Sequence, residues 1–405
     1  MDNKKDANKF KIGIYFSATP QDGGGYQQKI NILNILKDKT QDYNFLLVSS
    51  NSDINNFYQN YFKIFNPYRF QLAINFIRLF KKINGLYIFF ERLTFFIYSR
   101  KIKKQCDLIF FLGPNEICYK LKIPYIFTVN DLMHKYYPQF PEVSRNGESE
   151  RRDIMYSNGF ENSSAIVCES NIGKEDVIKF YNINPEKIFV FPFLPPHYLI
   201  KEHSDEEIHQ IIIKYRLPKK FIFYPANFWF HKNHVLIINA LSILKSKGIL
   251  LNVVFTGSIM DEGKQDNNYS QVIDLADKLN VLNQVFYLGR IPDEDISLLY
   301  KLSLALVMPT FFGPTNIPYI EAFYLDCPVI TSKLRGIKEQ VGDAAILIDP
   351  EDPGELVSAI LQLDDENVRR NLIENGHKVL NSWTKKDYSD KIDNLFQYCM
   401  SHIEN

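Results

Sequence analysis

The 405-residue sequence has no excess charge of either sign, 47 Lys+Arg against 47 Asp+Glu. Without a basic face to release counterions, a dedicated nucleic-acid binder is not expected. Cysteine is sparse and scattered: Cys106, Cys118, Cys168, Cys327 and Cys399 form no C-x-x-C, and no His/Cys cluster has zinc spacing. The odd count and wide separation point to free thiols in a reducing compartment. No apolar run approaches the ~18 residues of a membrane span, and the N-terminus MDNKKDANKFK lacks the apolar segment of a secretory signal. A cytosolic protein is expected. There is no G-x-G-x-x-G dinucleotide fingerprint and no internal repeat.

What is present suits a globular chain. With 45% hydrophobic and 23% charged residues it can bury a sizeable core, and ~150 residues per domain suggests two or three domains. Short apolar runs recur at spacings too long for hairpins: 11–16, 46–50, 108–112, 125–129, 165–168 and 188–191. The proline-rich break PFLPPHYL (192–199) follows, and then runs at 221–224, 252–256, 285–288, 304–308, 328–331 and 345–348. They are continuous rather than alternating, as strands buried on both faces of a parallel sheet should be. Stretches of helical period lie between them, among them 26–37, 234–247 and 353–363. The pattern predicts an α/β protein with two doubly wound domains, 1–195 and 196–385, whose final helix within 386–405 could cross back to the first. Ligands in such sheets bind at the carboxyl ends of the strands.

The most informative stretch is MPTFFGPTNIPYIEAFYLDCPVIT (308–331), a strand, a turn and a helix opening near Pro318. The amides of Thr315, Asn316 and Ile317 would point outward at the positive end of the helix dipole and make an anion site. Glu321, about one turn further in, could accept hydrogen bonds from sugar hydroxyls beside the anion, which together describe a nucleotide. The alternative is a capped helix with an exposed glutamate. In FIFYPANFWFHKNHVLIINALSIL (221–244), Lys232 stands just before a helix, where its ammonium could neutralise a diphosphate, or be an ordinary solvated lysine. His231 and His234 flank it without a third ligand, so no metal is expected there.

Three further stretches carry weaker signals. In DGGGYQQKI (22–30), Gly24 and Gly25 open a helix and let backbone approach a phosphate closely, or form a flexible turn. Asp293-Glu294-Asp295 reads as acids in a helix's first turn rather than a metal motif. Residues 66–104 carry nine Lys/Arg, one acid and ten aromatics. As amphipathic helices they could lie on an anionic membrane surface, holding the protein on its inner face, or they could bury the aromatics in the first domain.

F-W-F-H-K-N-H, V-F-T-G, V-F-Y-L-G-R, G-P-T-N-I-P-Y-I-E-A and C-P-V-I-T occur in the order found in the retaining, nucleotide-sugar-dependent "group 1" glycosyltransferases, which the chain resembles over about 221–350 and more loosely before that. The resemblance implies the GT-B fold, two Rossmann-like domains facing across a cleft. It implies a nucleoside-diphosphate sugar as donor substrate, with no cofactor and no metal, and a glycan or lipid-linked sugar as acceptor. Lys232 would contact the donor diphosphate, Glu321 the ribose, and the turn with Gly313, Thr315, Asn316 and Ile317 the phosphate or donor sugar. The glycine loop matches a similar Gly-Gly loop of the family. On the acceptor side, TVNDLMHKYYPQF (128–140) resembles T-V-H-D-L-x-H, so Asp131 and His134 match and Asn130 replaces the first histidine. Two more positions depart: Gly313 stands where the first of two glutamates is usual, and Asn227 where an arginine is. Ser170 is the cleft-facing residue expected in 165–196. A non-catalytic partner of the same fold and a sugar-nucleotide epimerase are the alternative functions.

Overall fold

The computed structural model describes residues 9–20, 23–78, 84–200, 202–260 and 267–403. The chain groups into two compact units. One comprises Met1–Leu132, Glu150–Phe191 and Lys385–Asn405, and the other Met133–Ser149 with Pro192–Thr384. Residues 133–149, placed by sequence in the first domain, therefore belong with the second unit.

The first unit is built on seven parallel strands: β1 (Lys11–Phe16), β2 (Asn44–Ser49), β3 (Lys63–Phe65), β4 (Leu108–Phe111), β5 (Tyr125–Thr128), β6 (Ala165–Cys168) and β7 (Ile188–Val190), in the order β3-β2-β1-β4-β5-β6-β7. Ile14 pairs with Leu47 on one side and Phe110 on the other, and all three are buried. Such central strands need apolar residues on both faces, which is why they read as unbroken runs. Only β3 was not anticipated, because three residues at a sheet edge leave no such run. The last helix, Lys385–Ile403, packs within this unit: Phe396 lies against Tyr43, Phe45 and Phe110, and Lys39 pairs with Asp393 at 2.6 Å.

The second unit has six parallel strands: β8 (Phe221–Pro225), β9 (Asn252–Thr256), β10 (Val285–Tyr287), β11 (Leu306–Met308), β12 (Val329–Ser332) and β13 (Ala345–Ile348), ordered β10-β9-β8-β11-β12-β13. Helices Gly24–Lys37, His234–Ser246 and Pro353–Gln362 occupy the three stretches of helical period. In both sheets the strand order reverses at one point, between β1 and β4 and between β8 and β11. There the loops leaving adjacent strands part to opposite faces and open a crevice, the place where this topology binds ligands.

Candidate functional site

At the β8/β11 reversal, the chain leaving β8 forms the short turn Phe230–Lys232 and ends it at Asn233, whose φ of 56° is left-handed. Asparagine tolerates this conformation better than most residues. Its Nδ2 donates to Pro309 O at 3.0 Å and Pro350 O at 2.7 Å, beyond the ends of β11 and β13. The His231 carbonyl accepts from Phe311 N at 2.7 Å and Thr310 Oγ1 at 3.1 Å, and buried Tyr224 donates to the Lys232 carbonyl at 2.9 Å. Lys232 thus stands on a turn whose backbone is fastened to the loop after β11.

That loop runs into helix Ile317–Tyr324, with Pro318 in its first turn as expected. Gly313 has φ 128°, and a Cβ there would lie 2.8 Å from the Asn316 side chain. Asn316 Nδ2 donates to Gly313 O at 2.8 Å. The Asn316 amide does not point outward as the sequence suggested. It donates to Gln340 Oε1 at 2.7 Å, and Gln340 Nε2 returns a bond of 2.7 Å to Asn316 O. Thr315 is half-buried and Ile317 buried at the helix start.

Glu321 is not the exposed glutamate of the capped-helix alternative. It is only 5% exposed, its Oε2 accepts from Tyr300 Oη at 2.5 Å, and its Oε1 accepts from Tyr198. Burial pushes its pKa up, against the pull of these two bonds. Asn227 Oδ1 accepts from Ser258 N at 2.8 Å and so ties the loop after β8 to the one after β9.

One partner of this site left no sequence signal. Glu142, from the short helix Pro141–Ser144, accepts from the backbone N–H of His231 at 2.9 Å and bonds its Nδ1. Burial opposes the carboxylate's charge, but the His231 bonds win and hold its pKa below the ordinary value. His234 stacks on Phe228, centroids 4.2 Å apart, and burial lowers its pKa to about 3. Neither histidine is part of a metal-ligand cluster, and no group of three or more His, Cys, Asp or Glu suited to a metal occurs among the described residues. Asp293, Glu294 and Asp295 occupy the first turn of helix Asp293–Leu302, and Lys214 and Tyr215 bond Asp295.

At the β1/β4 reversal, Gly23 (φ 58°) precedes the helix that begins at Gly24. Gly25, Lys29, Thr128, Asn130 and Glu169 help line a cavity of about 20 Å³. The Lys29 ammonium lies beside Gly113 just after β4, where a Cβ would come within 3.2 Å of it. The structure therefore brings Gly25 and Asn130 together and adds Lys29 and Glu169. Asp131 pairs with Arg152 at 3.2 Å, and Tyr156 donates to its carbonyl at 3.0 Å. His134 is buried in the turn Met133–Tyr136 and groups with the second unit. Ser170, expected to face the cleft, is buried and caps helix Asn171–Tyr181, accepting from Gly173 N at 3.0 Å.

Residues 205–379, inside the second unit, match the family model described as glycosyl transferases group 1. The chain is 38% identical over 84 residues to the O-antigen chain mannosyltransferase B of Escherichia coli, an alignment covering 20% of this chain and 22% of that protein. It spans less than a quarter of the length of the first curated relatives it matches. Among solved structures, a glycosyltransferase from Rickettsia africae superposes with a TM-score of 0.69 at 16% identity, over 97% of this chain and 99% of that one. Anabaena HepE, solved with UDP-glucose, gives 0.69 at 14% identity over 97% and 100%. The fold is GT-B, with two Rossmann-like parallel-sheet domains.

Proposed function

We propose that the chain is a retaining glycosyltransferase that moves a hexose from a nucleoside-diphosphate sugar to a hydroxyl of a glycan or lipid-linked acceptor in cell-surface polysaccharide synthesis. The observation that carries this reading is the position of Lys232 on a turn bonded to the 310–317 loop, at the strand-order reversal of the matched domain. The bond from the anomeric carbon to diphosphate oxygen breaks, and negative charge grows on the diphosphate. Lys232 and the helix start at Ile317 stabilise that charge from fixed positions. The acceptor hydroxyl adds to the anomeric carbon on the face the diphosphate leaves, and its proton passes to the departing oxygen. Lys232 supplies the positive charge a divalent ion would otherwise provide, so the reaction is expected to resist EDTA. Glu321 keeps lone pairs beyond the two its tyrosines use, and these would take the ribose hydroxyls. In the first unit, Lys29, Asn130 and the glycine turn would face the acceptor. The relatives' names make mannose the first hexose to test.

Helices Tyr68–Arg78 and Asn84–Lys103 support an acceptor held at a membrane surface. Phe70 and Phe95 pack inward, 5.2 Å apart, while Leu72, Phe76, Phe89, Phe96 and Ile97 are exposed on the same two helices as Arg69, Arg92, Arg100 and Lys101. Apolar side chains among bases suit an anionic lipid surface, so we assign the enzyme to the inner face of a membrane as a peripheral protein. No helix among the described residues is long and apolar enough to cross one.

One observation favours a second reading, a non-catalytic partner of the same fold: Glu321 and the Asn316 amide are both satisfied from within the unit. Titrating the folded chain with UDP-, GDP-, ADP- and dTDP-sugars separates the two. Selective binding with acceptor-dependent release of nucleoside diphosphate supports the transferase, and binding to none of them supports the partner. Conversion of the sugar nucleotide with no acceptor present would identify an epimerase.

A further inference from the structure

Three consecutive peptide groups fix where Lys232 stands. The 230–231 group presents the His231 N–H to Glu142 Oε1 at 2.9 Å. The 231–232 group offers its carbonyl to Phe311 N at 2.7 Å and Thr310 Oγ1 at 3.1 Å, and its N–H, on Lys232, to Trp229 O at 3.1 Å. The 232–233 group accepts from the Tyr224 hydroxyl at 2.9 Å and donates the Asn233 N–H to Phe230 O at 3.1 Å. The last two are fastened by the turn itself, by β8 and by the loop after β11. The first is fastened by a side chain from far off in sequence, on the four-residue helix Pro141–Ser144.

The Glu142 carboxylate suits this task better than it suits packing. Its side chain is 7% exposed and that of His231 13%, so little water competes for their bonds. One oxygen, Oε1, takes both the backbone N–H and the ring Nδ1 of His231. Neighbouring rings keep the short helix in place. Phe140, just before it, packs on Phe311 at 5.6 Å and on the His231 ring at 6.3 Å, and Tyr137 packs on Phe312 at 5.6 Å. Burying a carboxylate costs free energy that an apolar side chain filling the same space would avoid. What the carboxylate adds is a charge-assisted bond to a backbone N–H, about twice as strong as a neutral one.

We propose that Glu142 is a positioning residue for Lys232: by fixing the peptide group before His231, it holds the lysine where charge grows on the departing diphosphate. The role rests on the transferase reading above, and its effect reaches the reaction only through the turn. A turn released at this point still carries Lys232, but over a wider range of positions, and a displacement of about 1 Å at such a site costs up to ~10²-fold in rate. Because that charge develops in the transition state, the loss falls on kcat and not on the KM for donor.

Release of nucleoside diphosphate from UDP-, GDP-, ADP- and dTDP-sugars is measured for wild type, Glu142→Ala, Lys232→Ala and the double variant, each first shown to be folded by its unfolding transition. The expected result is a kcat lowered about ten- to a hundredfold in Glu142→Ala, with the KM for donor within about threefold of wild type. In the Lys232→Ala background the same change should have no further effect, because no ammonium is left to place. Glu142→Gln keeps an oxygen that accepts from His231, so it should be slowed less, and it replaces the alanine variant if that one does not fold. Its drop should also vanish once Lys232 is gone. A residue that only supports the fold lowers turnover by the same factor with and without Lys232, and that result overturns the positioning role. Folded Glu142→Ala with wild-type turnover overturns it as well, and leaves the transferase standing. No release from any donor by the folded wild type removes the transferase reading, and this role with it.

Discussion

The side-chain amide of Asn316 turns back onto the carbonyl of Gly313 at 2.8 Å, filling the space a side chain at 313 would need. The departure from the two-glutamate pattern is thus coupled to a second residue, and the turn is rebuilt around it. Gly313→Glu should therefore not restore a missing contact. A residue with a Cβ at φ 128°, pressed against Asn316, should lose about 1–3 kcal/mol of stability, and donor affinity should fall with it. Thermal unfolding and donor titration check this together, and a more stable, tighter-binding variant would refute it.

His234 sets an acid limit on the second unit. Its folded pKa, about 3, lies below that of an exposed histidine, because burial excludes the charged form. Between about 6.5 and about 3 the unfolded chain binds the extra proton, so stability drops as pH falls, by ~1.4 kcal/mol per unit. His234→Phe should preserve the stack on Phe228 and flatten that acid limb. Unfolding midpoints from pH 7 to 4 measure it, and parallel curves for the two proteins would sink the claim.

Glu321 gives the opposite slope. Its folded pKa is raised, so its contribution is fully present below the ordinary carboxylate value and is lost as pH rises through the raised one. The stability difference between Glu321→Gln and wild type should therefore move in the variant's favour from pH 4 upward. A difference independent of pH would mean that the carboxylate ionises normally.

Membrane attachment is tested at Phe76 and Phe89, 62% and 60% exposed on the paired helices. Changing both to Ser should lower sedimentation with anionic liposomes by roughly tenfold or more, since each loses ~1.5–3 kcal/mol of apolar burial, and leave the unfolding midpoint in place. Equal sedimentation with neutral and anionic liposomes at low salt would exclude the basic residues from the attachment.

The strands and the matched loops were legible because central parallel strands must be apolar along their length and because Gly-Pro-Thr-Asn and His-Lys-Asn mark chain turns. What escaped depends on contacts between distant positions. Glu142 meets His231 from 89 residues away, and Gln340 takes the Asn316 amide from 24 away. Asn233 was visible in the motif, but its two bonds to strand ends appear only once the sheet is assembled. Residues 133–149 were misassigned because chain order places them in one domain while their aromatic side chains, Phe140 on Phe311 and Tyr137 on Phe312, pack in the other unit.

Everything proposed for the chemistry converges on Lys232, and the most direct measurement is release of nucleoside diphosphate from the preferred sugar donor by wild type and Lys232→Ala, each with and without EDTA. The expected result is wild-type turnover unaffected by EDTA and a folded variant slower by at least ~10²-fold, the scale of one preorganised electrostatic contact. Turnover by folded Lys232→Ala close to wild type, or wild-type turnover abolished by EDTA, would contradict the assignment of the leaving-group charge to this lysine.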